Sequence, residues 1–184
     1  GYPNPLLETK LYPLNHHTSE AEWAKYIEPL LQGISMGLIS EAGCPGVADP
    51  GANIAALAHE KGIQVVPFVG PSSILLALMA SGMNGQSFAF NGYLPIKDPE
   101  RSASIQQFEQ LSKRSHQTQI FIEAPYRNQQ LLADLLKTLK PETRLCIAVD
   151  LTLKSEMIKT MSVQKWRQMT IELHKKPTVF LILA

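Results

Sequence analysis

The composition of this 184-residue chain excludes several classes of protein. Hydrophobic residues make up 45% of the chain and charged residues 18%, so the chain can bury a core, which argues against disorder. No apolar run reaches the roughly 18 residues that a membrane-spanning helix needs, and no charged-then-apolar signal peptide opens the sequence. We therefore expect neither a membrane protein nor a secreted one.

The cysteines and histidines give no support to a metal site. Cys44 and Cys146 are too few for a disulfide framework or a four-thiolate zinc site. Among the five histidines only His16 and His17 lie close together in sequence. Adjacent residues do not share a helix face, and no CxxC or HExxH motif accompanies them. We therefore expect no bound metal.

The formal net charge of +1 conceals two halves of opposite sign. Residues 1–84 carry three Lys and Arg against seven Asp and Glu, a net charge of −4, whereas residues 85–184 carry fourteen against nine, a net charge of +5. This asymmetry suggests two domains with different surfaces, and the basic half favours an anionic partner. The alternative is that both halves carry ordinary solvated charges.

The first 84 residues predict helices that alternate with strands. In chain order we expect a helix after a capping box at Ser19 and Glu22, a strand at 36–40, a helix at 51–61, a strand at 64–69 and a helix at 74–80. The last helix is apolar on every face, so we expect it to be buried. Strands alternating with helices are typical of a parallel α/β sheet.

Residues 81–85 (SGMNG) are the best candidate for a domain boundary, which predicts domains at 1–84 and 85–184. Beyond them the alternation resumes. We expect strands at 88–90, 119–123, 144–151, 156–161 and 178–183, and helices around 105–111, 131–139 and Trp166. The sequence thus predicts an α/β fold of two domains.

Two loops follow the carboxyl ends of predicted strands, which is where open α/β sheets bind ligands. The first, residues 40–51 (SEAGCPGVADPG), combines three glycines with the acids Glu41 and Asp49. The second, Gly70-Pro71-Ser72-Ser73, leads into a helix whose first backbone N–H groups are free to meet a ligand. Each loop has a purely structural alternative, a tight turn in the first and capping by Ser72 in the second. Their positions after successive strands favour a shared crevice.

Several common catalytic motifs are absent from the sequence. It contains no GxGxxG or GxxxxGK[ST] segment, so dinucleotide and P-loop triphosphate binding lack support. It contains no GxSxG nucleophile elbow either. Nothing in the sequence places a base beside Cys44, so we do not expect this thiol to be a nucleophile.

Taken in order, the loops and later segments resemble the tetrapyrrole methylase superfamily of methyltransferases that use S-adenosylmethionine (SAM). The resemblance is strongest to the branch that methylates a ribose 2′-hydroxyl of 16S ribosomal RNA. The matching segments are SEAGCP (40–45), ADPG (48–51), GPS (70–72), GYLP (92–95), IEAPYR (122–127) and DLTL (150–153).

This sequence departs from the family pattern at single residues and at its start. The substituted residues are Glu41 for Asp, Cys44 for Thr, Tyr126 for His, Asp150 for Glu and Leu153 for Lys. Family members also begin with a strand and a glycine-containing loop, which the given sequence does not include.

The resemblance implies a tetrapyrrole methylase-like fold of two α/β domains, each a mostly parallel sheet flanked by helices. It implies that SAM binds in the cleft between the two domains, and that the protein assembles as a homodimer, as is usual in the family. It also implies SAM contacts made mostly through the backbone. Those contacts would fall at Glu41, Gly43, Pro45, Ser72, Ser73, Ile74, Ile122, Glu123, Leu151, Pro177 and Thr178.

The basic second half predicts contacts with RNA. The candidates for phosphate contacts are Lys97, Arg101, Lys113, Arg114, Arg127, Lys154 and Lys159. Tyr93 and Tyr126 are candidates for stacking on splayed bases. We single out Tyr93 and Arg127 as substrate-binding residues. No catalytic base is assigned, and for Glu41 a ligand-holding role is favoured over a role as the base.

We therefore expect a cytoplasmic SAM-dependent methyltransferase that acts on ribosomal RNA or the small ribosomal subunit, with 2′-O-ribose transfer as the hypothesis. Two alternatives stay open. One is methylation of a small molecule such as a tetrapyrrole, and the other is a SAM-binding protein without turnover.

Overall fold

The computed structural model describes residues 9–184, which divide into two compact units. The first unit ends at Pro71, and the second covers Ser72–Ala184. The division precedes helix α4 (Ser73–Ser81), which packs on strands of the second unit. The domain boundary predicted between residues 84 and 85 remains a prediction.

Residues 9–71 of the first unit contain three helices: α1 (Glu20–Tyr26), α2 (Glu28–Leu31) and α3 (Gly51–Glu60). The capping box is confirmed, because the Ser19 backbone N–H donates to Glu22 Oε2 at 2.9 Å. The predicted helix at 51–61 is also confirmed, ending one residue earlier than expected.

The strands predicted at 36–40 and 64–69 are wrong, and residues 9–71 contain no strand at all. Both segments are apolar runs, yet Ile39 is 82% exposed and Phe68 is 91% exposed. A β-strand is defined by hydrogen bonds to a neighbouring strand, and neither run has such a neighbour within the described residues of its unit. An apolar run therefore did not suffice to make a strand, and the parallel sheet expected here is not formed.

The second unit is a five-stranded sheet flanked by helices. Its elements are α4 (Ser73–Ser81), β1 (Phe88–Tyr93), α5 (Glu100–Ser115), β2 (Thr118–Ile122), a 3₁₀ helix (Pro125–Arg127), α6 (Asn128–Thr138), β3 (Arg144–Val149), β4 (Met157–Ser162), α7 (Val163–Trp166) and β5 (Thr178–Leu183). All the strands and helices predicted for this part of the sequence are present, with ends shifted by a few residues.

The sheet has the strand order β1-β2-β5-β3-β4 and is mixed. Only β1 and β2 pair in parallel, whereas β5 runs antiparallel to both β2 and β3, and β3 runs antiparallel to β4. The expectation of a mostly parallel sheet is therefore wrong for this unit. One physical reason for the antiparallel pairing of β3 and β4 is the short link of residues 150–156 between them, because a parallel pair needs a longer crossover. Buried strands of either direction have the same apolar pattern, so the sequence did not reveal the direction.

Side chains alternate between the two faces of this sheet and build two cores. On β3, Leu145 and Ile147 face the larger core, which α5, α6 and α7 cover, while Cys146 and Ala148 face the smaller core beneath α4. The prediction that α4 would be buried on every face is wrong. Ala77 is fully buried against the sheet, but Met79 is 79% exposed, because only one face of the helix packs on the strands.

Candidate functional site

Three strands of the second unit bring predicted site residues to one edge of the sheet. Strand β2 ends at Ile122, β3 ends at Val149, and β5 begins at Thr178. The register pairs Ile122 with Val179 and Val149 with Thr178. The segments that follow β2 and β3 and the segment that precedes β5 therefore meet at this edge, as expected for residues that share a ligand.

Three of the predicted SAM contacts in the second unit pack against the same group of buried side chains. Ile74 of α4, Ile122 at the end of β2 and Leu151 after β3 are partly buried, and each packs against the smaller core. The structure thus brings together residues that are up to 77 positions apart in sequence. They form an apolar border around the edge of the sheet.

The turn after β3 is held in an uncommon backbone conformation. Asp150 has φ 51° and Thr152 has φ 70°, values that residues other than glycine adopt rarely. Two hydrogen bonds secure this turn: the Asp150 N–H donates to the Pro177 carbonyl at 3.0 Å, and the Thr152 N–H donates to Glu156 Oε2 at 2.7 Å. Leu151 lies between the two left-handed residues, so its position is fixed by its neighbours and by the segment before β5.

Helix α4 begins beside this core without a side-chain cap. Ser72 occupies the N-cap position with an extended backbone, but its hydroxyl accepts no hydrogen bond from the helix. The structural alternative for this segment, capping by the Ser72 side chain, is therefore not realised. The first-turn amides of α4, which include those of Ser73 and Ile74, have no partner within the helix.

The loop at residues 40–51 in the first unit is organised by Asp49. Its Oδ2 accepts hydrogen bonds from the Gly46 and Gly51 backbone amides, both at 3.0 Å. A Cβ atom on Gly51 would lie 2.6 Å from Leu38 Cδ2 and 2.8 Å from Asp49 Oδ2, so a larger residue there would have to displace both side chains. Asp49 thus has the structural role that the sequence left open as an alternative.

The three predicted SAM contacts in this loop, Glu41, Gly43 and Pro45, are exposed. Gly43 adopts φ 73°, which favours glycine. The neighbouring Cys44 thiol donates a weak hydrogen bond to the Pro71 carbonyl at 3.6 Å, so the loop at 40–51 contacts the Gly70-Pro71 segment. These two segments were expected to lie close together.

A buried group of charges, called here the arginine–carboxylate cluster, lies where β1 and β2 end. It consists of Arg101, Glu123, Arg127 and Asp134. The Glu123 side chain is fully buried; its Oε2 lies 3.3 Å from Arg101 Nη2 and its Oε1 lies 2.6 Å from Arg127 Nη2. Both carboxylate oxygens are thus engaged within the protein, so Glu123 can contact a cofactor only through its backbone.

The prediction that Arg101 contacts phosphate is wrong. Its side chain is 3% exposed, and it donates to Asp134 Oδ2 at 2.8 Å and to the Pro95 carbonyl at 2.7 Å besides Glu123. A buried arginine is stable only when its charge and its donors are satisfied, and here partners from three segments satisfy them. No local sequence pattern indicates this role of Arg101, because its partners lie 6 to 33 residues away along the chain.

Arg127 and two tyrosines lie at the solvent side of the cluster. The Arg127 guanidinium stacks over the Tyr126 ring at 5.1 Å from its centroid. The hydrogen bond to Glu123 raises the pKa of Arg127 further above its usual value, with smaller contributions from Tyr126 and Tyr93. Tyr93 is 57% exposed and Tyr126 is 61% exposed. The structure therefore brings together the predicted substrate-binding residues Tyr93 and Arg127.

Within residues 9–184 no group of three or more His, Cys, Asp or Glu side chains could hold a metal ion. In the same part of the chain, no helix combines the length and the apolarity that crossing a membrane requires.

Solved structures define the class of fold. The methyltransferase CobJ superposes with a TM-score of 0.62 at 16% identity, over 94% of this chain and 74% of CobJ. Uroporphyrin-III-C-methyltransferase from Thermus thermophilus superposes with a TM-score of 0.54 at 22% identity, over 89% of this chain and 70% of that enzyme. The predicted tetrapyrrole methylase-like α/β fold is therefore confirmed, although the sheet directions differ from those expected.

Sequence similarity narrows the comparison within that class. Ribosomal RNA small subunit methyltransferase I of Vibrio cholerae serotype O1 is 34% identical to this chain over 155 residues, which are 84% of the chain and 52% of the relative. The chain spans about half the length of the curated relatives it matches. No protein-family model matches the chain. The predicted resemblance to the ribosomal RNA branch of the tetrapyrrole methylases is confirmed by this similarity.

Proposed function

We propose that this chain is part of a SAM-dependent methyltransferase that acts on ribosomal RNA of the small subunit. The observation that carries the proposal is the 34% identity to a protein named for that activity, over 84% of this chain. Transfer to a ribose 2′-hydroxyl, assembly as a homodimer and a cytoplasmic location are finer predictions from the family resemblance.

The residues at the sheet edge of the second unit fit SAM. The cofactor has an adenine ring whose flat aromatic faces pack on apolar side chains, as well as polar groups that bind backbone amides and carbonyls. Ile74, Ile122 and Leu151 offer partly buried apolar surface at one edge, and the uncapped start of α4 offers backbone N–H donors. We propose these residues, with Ser72, Ser73, Thr178 and the backbone of Glu123 and Pro177, as SAM contacts.

When bound, SAM supplies a methyl group that its sulfonium already activates for displacement. The protein's task is then to hold the acceptor oxygen in line with that methyl group. Acceptance of a hydroxyl proton by a basic group would also be needed, and no residue is assigned to that step. In the first unit we propose Glu41, Gly43 and Pro45 as ligand-holding residues of the loop at 40–51.

Calorimetric titration with S-adenosylhomocysteine tests the cofactor site. Ser73→Pro removes the first backbone N–H of α4 while proline remains compatible with the first helical position, and Ser72 already has the extended conformation that precedes proline. We expect this variant to bind at least about tenfold more weakly, the equivalent of one lost hydrogen bond of about 1.4 kcal/mol. The matched control Ser73→Ala keeps the N–H and should change affinity by less than about threefold.

Absence of binding by the unmodified chain at millimolar ligand would remove the cofactor assignment. Unchanged binding by Ser73→Pro would remove α4 from the site. Salt dependence separates RNA from a tetrapyrrole acceptor, because RNA affinity falls steeply as salt is added. Transfer of a labelled methyl group separates both activities from SAM binding without turnover.

A further inference from the structure

Glu123 holds Arg127 in a fixed orientation from inside the protein. Its buried carboxylate bridges two guanidinium groups, at 3.3 Å to Arg101 and 2.6 Å to Arg127, and its Oε1 also accepts the Ala124 N–H at 2.7 Å. Arg101 is held in turn by Asp134 and Pro95. A carboxylate with this many partners is restricted to one rotamer, so it presents Arg127 in one place.

Arg127 keeps most of its hydrogen-bonding capacity. Among the described residues it donates one hydrogen bond, to Glu123, although a guanidinium carries five N–H donors. The Arg127 side chain is 26% exposed, although its Nε is buried without a partner among the described residues, so an acceptor in solvent can reach only its Nη groups. Arginine donors suit phosphate oxygens particularly well, because two parallel N–H groups can bind two oxygens.

The segment before β5 adds two lysines, Lys175 and Lys176, which no sequence motif marks as a site. The Lys175 N–H donates to the Pro125 carbonyl at 3.0 Å, and the Lys176 carbonyl accepts from Asn128 Nδ2 at 2.7 Å. These bonds attach Lys175 to the 3₁₀ helix that carries Arg127 and Lys176 to the first residue of α6, which follows Arg127. Lys175 adopts φ 60°, and the bond to Pro125 helps to hold this conformation.

The exposed tyrosines give the same surface an aromatic component. Arg127 stacks over the Tyr126 ring. Tyr93 is the last residue of β1 and pairs with Ile122, the residue before Glu123. Cationic side chains interleaved with exposed aromatic rings are the combination that binds single-stranded nucleic acid, since phosphates meet the cations and bases stack on the rings.

We propose that Tyr93, Tyr126, Arg127, Lys175 and Lys176, called here the basic–aromatic patch, bind nucleotides of single-stranded RNA. Arg127 and the lysines contact phosphates, the tyrosines stack on bases, and Glu123 is the positioning residue for Arg127. The inference deepens the proposed function, on which the choice of RNA as the ligand rests.

Fluorescence anisotropy with a labelled single-stranded RNA of about 12 nucleotides tests the patch on the full chain. Between about 50 and 200 mM KCl, we expect Arg127→Met to bind about tenfold more weakly and to reduce the salt slope by about one. Tyr126→Leu should weaken binding about tenfold with an unchanged slope. The matched control is Arg144→Met, which removes an exposed arginine at the start of β3, at the end of the sheet opposite the patch, and should change affinity less than about twofold.

A double-mutant cycle tests the positioning role of Glu123. Glu123→Gln should weaken RNA binding, and adding Arg127→Met to it should weaken binding little further, because Arg127 is no longer oriented. If Glu123 only stabilises the fold, Arg127→Met should weaken RNA binding by the same factor with and without Glu123→Gln. The exposed pair Lys175→Met with Lys176→Met tests the patch without touching the buried cluster, and we expect at least a tenfold loss.

Three results would overturn the assignment. Equal RNA affinity for Arg127→Met and Arg144→Met would exclude Arg127 from the RNA site. If the variants lost heparin binding and RNA binding equally, the patch would be a general anion-binding surface without nucleotide recognition. No loss in the double lysine variant would remove Lys175 and Lys176. Titration with S-adenosylhomocysteine distinguishes failure of the RNA-binding patch from failure of the proposed function. If RNA binds through Arg127 but the cofactor analogue does not bind, only the proposed methyltransferase function is contradicted.

Discussion

The two units of this chain bury their apolar residues to very different extents. In the second unit, strands such as β3 and β5 bury every side chain from Leu145 to Val149 and from Thr178 to Leu183. In the first unit, the buried apolar side chains among the described residues are those of Ile27 and Ala58, and the runs at 36–40 and 64–69 are largely exposed. Similar sequence patterns thus have different outcomes.

The difference shows that a strand depends on its partners as much as on its own sequence. Residues 178–183 (TVFLIL) become the centre of a sheet because β2 and β3 flank them on both sides. Residues 64–69 (QVVPFV) have a comparable apolar content, but Val69 is fully exposed. Local propensity is therefore a weak guide wherever a pairing partner decides the structure.

Substitution of one phenylalanine in each unit should give the largest contrast. Phe180 is fully buried between Phe121 and the larger core, whereas Phe68 is 91% exposed. We expect Phe180→Ala to lower the free energy of unfolding by about 3–5 kcal/mol, and Phe68→Ala to change it by less than about 0.5 kcal/mol. Urea denaturation followed by far-UV circular dichroism, which reports the helices of both units, measures both.

A large effect of Phe68→Ala would contradict the comparison. It would mean that the run at 64–69 is covered in solution by a partner, and the two units would then differ less than their structures suggest. Equal small effects at both positions would instead contradict the assignment of Phe180 to the core.

The sequence predicted the second unit well because its signals are local. The leucine spacing of α6 and the continuous apolar runs of β2, β3 and β5 define their elements without reference to other segments. Strand direction and order were not predictable in the same way. They depend on which strands pair, and the position of β5 between β2 and β3 has no local signal.

The residues of the candidate functional site could be predicted from the sequence to a similar extent. Ile74, Ile122 and Leu151 came from the family resemblance, and the structure brings them to one core. Whether they contact SAM stays a prediction. The sequence does not indicate Lys175 and Lys176, because only the fold places them against the 3₁₀ helix of Arg127 and the start of α6. The sequence predicts a phosphate contact for Arg101, because the residues around it do not reveal that Glu123 and Asp134 enclose its side chain.

Charged residues should show the next largest contrast between the units. Arg101→Met leaves the buried Glu123 and the partly buried Asp134 with fewer partners, and we expect a loss of about 3 kcal/mol of unfolding free energy. The matched change in the first unit is Lys61→Met, at an exposed lysine, where we expect less than about 0.5 kcal/mol. The same denaturation experiment measures both, and similar effects would contradict the buried role of Arg101.

The cysteines provide the smallest but most direct comparison, because each unit contains one. Burial raises the pKa of the Cys146 thiol, and a hydrogen bond with Thr160 offsets this only in part. Less thiolate therefore forms at about pH 8 than at an ordinary cysteine, and reagent reaches Cys146 only after the sheet opens. Cys44 is partly exposed. We expect native-state alkylation, followed by peptide mass spectrometry, to modify Cys44 at least about 100-fold faster. Equal rates would show that β3 opens as readily as the loop at 40–51, whereas in denaturant the two rates should converge because both environments are lost.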